Sequence, residues 1–147
     1  MEGIIWHCPG PWRPLLPPHA VAAERARDLT LRRWAVLALT EQGCGTLARA
    51  DCGTLLVPGD RAEAALARVR AETVVTYGLS QRDSLTLSSL AEPVVCVQRA
   101  LLRPDGVTVE PQEFPLPPDL PAPAETLLPL LGLRLLQMPL TEAPFLW

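Results

Sequence analysis

Residues 51–80, DCGTLLVPGDRAEAALARVRAETVVTYGLS, decide the fold. The apolar run in CGTLLVPGD reads as a strand through Thr54 to Val57 that stops at Pro58 and Gly59, where proline removes a ladder donor and glycine loosens the backbone. Asp60 is then expected as a helix N-cap with Glu63 at the third helical position, a variant capping box in which two side chains satisfy orphan backbone N–H groups. Ala62, Ala65, Leu66 and Val69 share one face of that helix, while Arg61, Arg68 and Arg70 are left to solvent. The β-branched TVVTYG, Thr73 to Gly78, makes the second strand. Strand, short helix and strand with tight connections predict a right-handed βαβ crossover and therefore a parallel sheet.

Downstream the pattern changes. DSLTLSSL (83–90) and PVVCVQRALL (93–102) read as strands with no helix between them, so the sheet turns antiparallel there. Arg103-Pro104-Asp105-Gly106 is a turn signal: proline presets φ, aspartate tolerates the bridge region and glycine takes the left-handed position. Val107 to Glu110 then returns as a hairpin strand. Residues 111–124 are too rich in proline for a helix or central strand and read as an extended surface linker. A final helix is expected from Ala124 to Gln137.

Upstream, residues 1–18 contain five prolines and two tryptophans and read as an irregular, polyproline-like arm or one edge strand at Gly3 to Trp6, packed as a lid. HAVAAERARDLTLRR, His19 to Arg33, is rich in helix formers and predicts a helix. WAVLALT, Trp34 to Thr40, is a short apolar run whose periodicity fits either a buried strand or a continuation of that helix, with the strand favoured. The fold class is thus α/β: a small mixed sheet with a parallel βαβ crossover, then antiparallel hairpin strands, with flanking helices, in one domain spanning residues 1–147.

A chain of 147 residues buries about 68–70% of its unfolded surface, enough for one core. The net charge of −3, without a basic stripe, leaves nothing to release counterions from a phosphate backbone, so nucleic acid is not an expected partner. No apolar run reaches the roughly 18–20 residues of a membrane span, and the N-terminus lacks the charged and apolar regions of a secretory signal, so a cytoplasmic location is expected. The cysteines, Cys8, Cys44, Cys52 and Cys96, are too scattered for a disulfide framework and read as reduced. All thirteen basic residues are arginine. A phosphate-gripping lysine and lysine-based imine or general-base chemistry are therefore excluded.

TLLVPGDRAEAALARVRAETVVTYGLS resembles the closing part of the central domain of the Mur ligases, the ATP-dependent ligases of peptidoglycan synthesis. In that family a strand ends in an Asn-x-Asp-Asp-like turn, a helix follows, and a strand much like VVTYGLS leads to short antiparallel strands and another helix. The order matches from about Asp51 to Met138. The resemblance implies a nucleotide-binding ligase domain, yet the family's phosphate loop requires a lysine and this chain has none. Its metal-binding Glu and His and its modified active-site lysine also lack counterparts. At the turn, Val57 stands where the family has its adenine-side Asn and Gly59 where it has the first Asp, so that only Asp60 survives. An anion at this helix start would lose a backbone donor to Pro58 and face the carboxylate of Asp60, which disfavours phosphate.

Other constellations are sparse. No CxxC pair offers zinc a chelating knuckle. His7 and Cys8 are adjacent and project apart in an extended segment, although His19 could approach Cys8 in space as a base. Glu24, Asp28, Glu63, Glu72, Asp83 and Glu92 lie among polar neighbours and read as solvated faces. No catalytic residue, metal or cofactor is assigned. The candidate ligand-binding residues are Gly59, Asp60 and Gly78. The C-terminal stretch from residue 124 to 147 is apolar around most of the helix and ends in Phe145, Leu146 and Trp147. It is either buried centrally in its own domain or exposed as a partner surface containing Leu131, Leu135, Phe145, Leu146 and Trp147. The expectation placed first is a non-catalytic protein-interaction or scaffold role, with a protein partner or as a homodimer. The alternatives are a binder of a small ligand such as a nucleotide or cell-wall precursor at the carboxyl edge of the sheet, and a degenerate ligase-related enzyme.

Overall fold

Residues 34–39 and 55–58 carry apolar side chains at successive positions, a pattern that suits strands covered on both faces. They form the centre of the sheet. The computed structural model describes residues 2–139. In chain order the elements are β1 (Gly3–Trp6), β2 (Ala20–Ala22), β3 (Trp34–Leu39), β4 (Ala50–Pro58), α1 (Ala62–Leu66), β5 (Val69–Tyr77), β6 (Leu85–Leu87), β7 (Val94–Val97), β8 (Leu101–Leu102), β9 (Thr108–Val109), β10 (Gln112–Pro115) and α2 (Ala124–Gln137). Short 3-10 turns occupy Gly10–Leu15, Ala26–Thr30, Gln42–Thr46 and Gly59–Arg61.

Eight strands form one sheet in the order β10-β7-β6-β5-β4-β3-β1-β2, and β8 and β9 form a separate hairpin. β2, β1, β3, β4, β5 and β6 are parallel, whereas β7 and then β10 join in antiparallel sense. The architecture is α/β, with a parallel crossover between β4 and β5 followed by antiparallel strands. Gly106 takes the left-handed φ of +87° in the β8–β9 turn.

Successive strand residues point to opposite faces. Val36, Ala38, Leu56 and Val75 pack with α2, while Leu37, Leu39, Leu55 and Val57 belong to the core on the other side. α2 is apolar around its girth because it is buried around its girth. Leu127, Leu128, Leu130, Leu131, Leu133, Leu135 and Leu136 are all buried. Gly132 lets the helix approach closely, since a Cβ there would lie 2.9 Å from Leu56 Cδ2 and 3.0 Å from Leu85 Cδ1. The C-terminal end of α2 receives a buried cation: Arg103 Nη1 donates to the Leu135 carbonyl at 2.8 Å, and Nη2 pairs with Asp105 at 3.0 Å. A cation at a helix C-terminus complements its dipole. The Val107 backbone N–H, helped by Arg103, holds the Asp105 carboxyl below its ordinary value.

Four expectations are corrected. The segment from His19 to Arg33 is not a helix. Its start pairs with β1 as β2, with Gly3 N donating to His19 O at 2.8 Å and Ala23 N to Ile5 O at 2.9 Å. A 3-10 turn follows that buries Leu29. Helix propensities of a few tenths of a kcal/mol per residue yield to such tertiary pairing. Second, β1 is neither part of an arm nor an edge strand: it is fully buried between β2 and β3, and Trp12 behind it is buried as well.

Third, α1 is only Ala62–Leu66, and Asp60 makes no capping bond because the chain leaves Pro58 as a 3-10 turn. The register Ala50↔Val69 draws Val69 into β5, and Leu66 is left 44% exposed. Fourth, the segment 111–124 is not all linker. Gln112–Pro115 pairs with β7 at the sheet's edge, where proline is tolerated because no outer strand requires its N–H.

Candidate functional site

β1 lies between β2 and β3; the chain leaves β1 toward β2 on one side and leaves β3 toward β4 on the other, so the strand order reverses between β1 and β3. In open parallel sheets such a switch point opens a crevice beyond the carboxyl ends of the strands. A crevice of about 760 Å³ is found there. Its walls come from His7, Pro9 and Trp12 after β1, Thr40 to Gln42 after β3, Pro58 to Asp60 after β4, and Thr76 to Ser80 at the end of β5. Arg82 and Asp83 from the following loop and Glu125, Thr126, Leu128 and Pro129 from the start of α2 complete it.

The strand ends are tied together by polar groups. Tyr77 Oη donates to the Leu39 carbonyl at 2.7 Å, linking β5 to β3. Burial pushes that phenol well above its ordinary value, so it is an anchor and not an acid for chemistry at neutral pH. Thr40 Oγ1 lies 3.2 Å from the Trp6 carbonyl and 3.1 Å from that of His7. His7 itself has φ +59°, a left-handed conformation uncommon outside glycine and asparagine. Its Nε2 is 3.0 Å from Thr46 Oγ1.

Gly59, Asp60 and Gly78, chosen from sequence, all line this crevice. The two glycines share one partner that sequence reasoning assigned to a solvated face: Asp83, which is 6% exposed. A Cβ at Gly59 would collide with Asp83 Oδ1, and one at Gly78 with Oδ2. The absent side chains therefore make room for a carboxylate between the ends of β4 and β5. Ser80 N donates to Asp83 Oδ2 and Asp83 N to Ser80 O, each at 3.1 Å. Gln98 Nε2 donates to the Asp83 carbonyl at 2.6 Å and to that of Ser80 at 3.2 Å. Ser80-x-x-Asp83, two residues beyond the glycine that follows β5, was the signal available for this loop. Trp12, Thr40 and Glu125 carried none, because they converge only through the sheet.

The crevice is acidic. Glu41, Asp60, Asp83 and Glu125 face it against the single guanidinium of Arg82 and the imidazole of His7. Pro58 supplies no N–H, and α1 is too short to present an aligned dipole, so the wall suits a polyanion poorly. The thiols stand apart from this chemistry. Cys8 Sγ is 3.4 Å from the Pro9 carbonyl, burial raises the Cys8 and Cys44 thiols, and Cys52 is pushed up to about 12. All four cysteines are free. His19 lines a separate small cavity with Arg103 and Gln137, away from the His7 crevice. Among the described residues no three His, Cys, Asp or Glu side chains gather as a metal-binding group.

Leu131 and Leu135, expected on a partner surface, are 0% exposed inside the chain's own core. Phe145, Leu146 and Trp147 lie outside the described residues. No helix among the described residues is long and apolar enough to cross a membrane. Comparison with protein-family models, curated proteins and solved structures finds no match to this chain.

Proposed function

We propose that this chain is a non-catalytic, Mur-ligase-like cytoplasmic domain whose role is to bind a small ligand in the crevice at the carboxyl ends of β1, β3, β4 and β5. The observation that carries the reading is the crevice itself: about 760 Å³ at the strand-order reversal, within the size range of small-molecule sites, with polar groups set among apolar walls. The element order from β4 to α2 supports the family resemblance. The missing lysine and the acidic rim support binding without phosphoryl transfer. The apolar girth of α2 is satisfied inside the chain, so the crevice, and not a partner surface on that helix, is what the geometry favours.

A thermal-shift screen with nucleotides, muropeptide precursors, amino acids and sugars tests the reading. Thr126→Trp, at an exposed position on the crevice wall, places bulk in the mouth without touching the core. The expected result is stabilisation by at least one ligand, abolished in Thr126→Trp. Absence of any stabilising ligand, or hits that Thr126→Trp leaves unchanged, overturns it.

A further inference from the structure

We infer that the ligand of this crevice carries a protonated amine, and that Asp83 is the group that receives it; the inference rests on the small-ligand reading above. Asp83 is buried, yet no arginine or histidine among the described residues pairs with it within 4 Å. Its Oδ2 accepts one backbone hydrogen bond, from Ser80, and its Oδ1 accepts none. Oδ1 is not among the fully buried unpartnered atoms, so on this crevice-lining residue it is an acceptor without a protein donor that a ligand N–H can reach. The two glycines that make room for it are the ones at the crevice wall.

The surroundings select the cation. Glu41, Asp60 and Glu125 add negative potential around the same space, opposed only by Arg82 and His7. A divalent metal needs several ligands brought together, and the described residues provide no such group. An ammonium needs less: one carboxylate in a charge-assisted hydrogen bond, with further acceptors nearby. Trp12, Leu128 and Pro129 supply apolar wall for a carbon skeleton beside it. Side-chain amines of amino acids and amino sugars share this chemistry.

The experiment follows the backbone amides of Gly59 and Gly78 by NMR. Lysine, glucosamine, their N-acetylated counterparts and Mg²⁺ are each titrated into the full chain. The expected result is that at least one free amine shifts both amides, that its acetylated partner does not, and that Asp83→Asn weakens binding by about tenfold or more. Asparagine keeps an acceptor for Ser80 N, and the acetyl pairs decide the matter on the unaltered protein should that variant not fold. Equal shifts from amine and acetylated forms, Mg²⁺ binding that displaces the amine, or no shift from either amine overturns the inference. In the first of these cases the crevice still binds a small ligand and the proposed function stands. If the broader screen also finds no ligand, both fall.

Discussion

The two faces of the sheet reach the same burial by opposite means. One is covered mainly by a helix of fourteen residues, α2, with Trp12 of the Gly10–Leu15 turn and the β8–β9 hairpin beside it. The other is covered by fragments: the 3-10 turns at Ala26–Thr30 and Gln42–Thr46, and the five-residue α1. Leu131 on the first face and Leu29 on the second are both 0% exposed. Complete burial therefore does not require regular helices, but rigidity differs between them. A helix held along its length cannot close over a void, whereas a turn can shift. The crevice lies where the two coverings part, walled by the start of α2 on one side and by the turns after β3 and β4 on the other.

That contrast can be broken most directly by the same truncation on each face. Leu131→Ala is expected to cost about 4 kcal/mol and Leu29→Ala about 2.5 kcal/mol, because the residual cavity is larger where the surroundings cannot relax. Urea unfolding at neutral pH reads both; equal losses would show that the turns are as rigid as the helix. Gly132→Ala sharpens the picture from the side of overpacking. Alanine favours the helix by about 1 kcal/mol, but its methyl meets Leu56 and Leu85 at 3.0 Å or less. The net expectation is a loss of about 1–2 kcal/mol, and a gain in melting temperature would mean that α2 can shift away from the sheet.

The smallest effect concerns the fragmented face and acid. Backbone N–H groups of Arg25 and Glu24 lower the Asp28 carboxyl below its ordinary value. A carboxyl lowered on folding adds stability that is present above its unfolded value and lost as pH falls through its folded value. Asp28→Asn should therefore be slightly less stable than the parent at pH 7, with the difference closing below about pH 4. A gap in urea midpoint that stays constant across that range would exclude the ionised carboxylate as its source.

Much of the fold is legible in local pattern. The apolar runs at β3, β4 and β5, the turn chemistry of Arg103 to Gly106 and the girth of α2 each state their environment, since burial on one face, two faces or all round leaves different periodicities. Of the site, Gly59, Asp60 and Gly78 could be singled out at strand ends, but Asp83 could not, because nothing near it in sequence shows that two glycines yield their space to its carboxylate. β10 was hidden by its prolines, which an edge position permits. β2 was hidden by residues that favour a helix in isolation.

Sequence alone determined the α/β class, the parallel crossover, the terminal helix and the loss of lysine chemistry, since these depend on side-chain type and on spacings within one element. Tertiary structure alone decided that β1 is interior, that α2 needs no partner to bury Leu131 and Leu135, and that four carboxylates face one crevice. These depend on which distant segments pair, and pairing is governed by the free energy of the whole sheet and not by the preference of any one stretch.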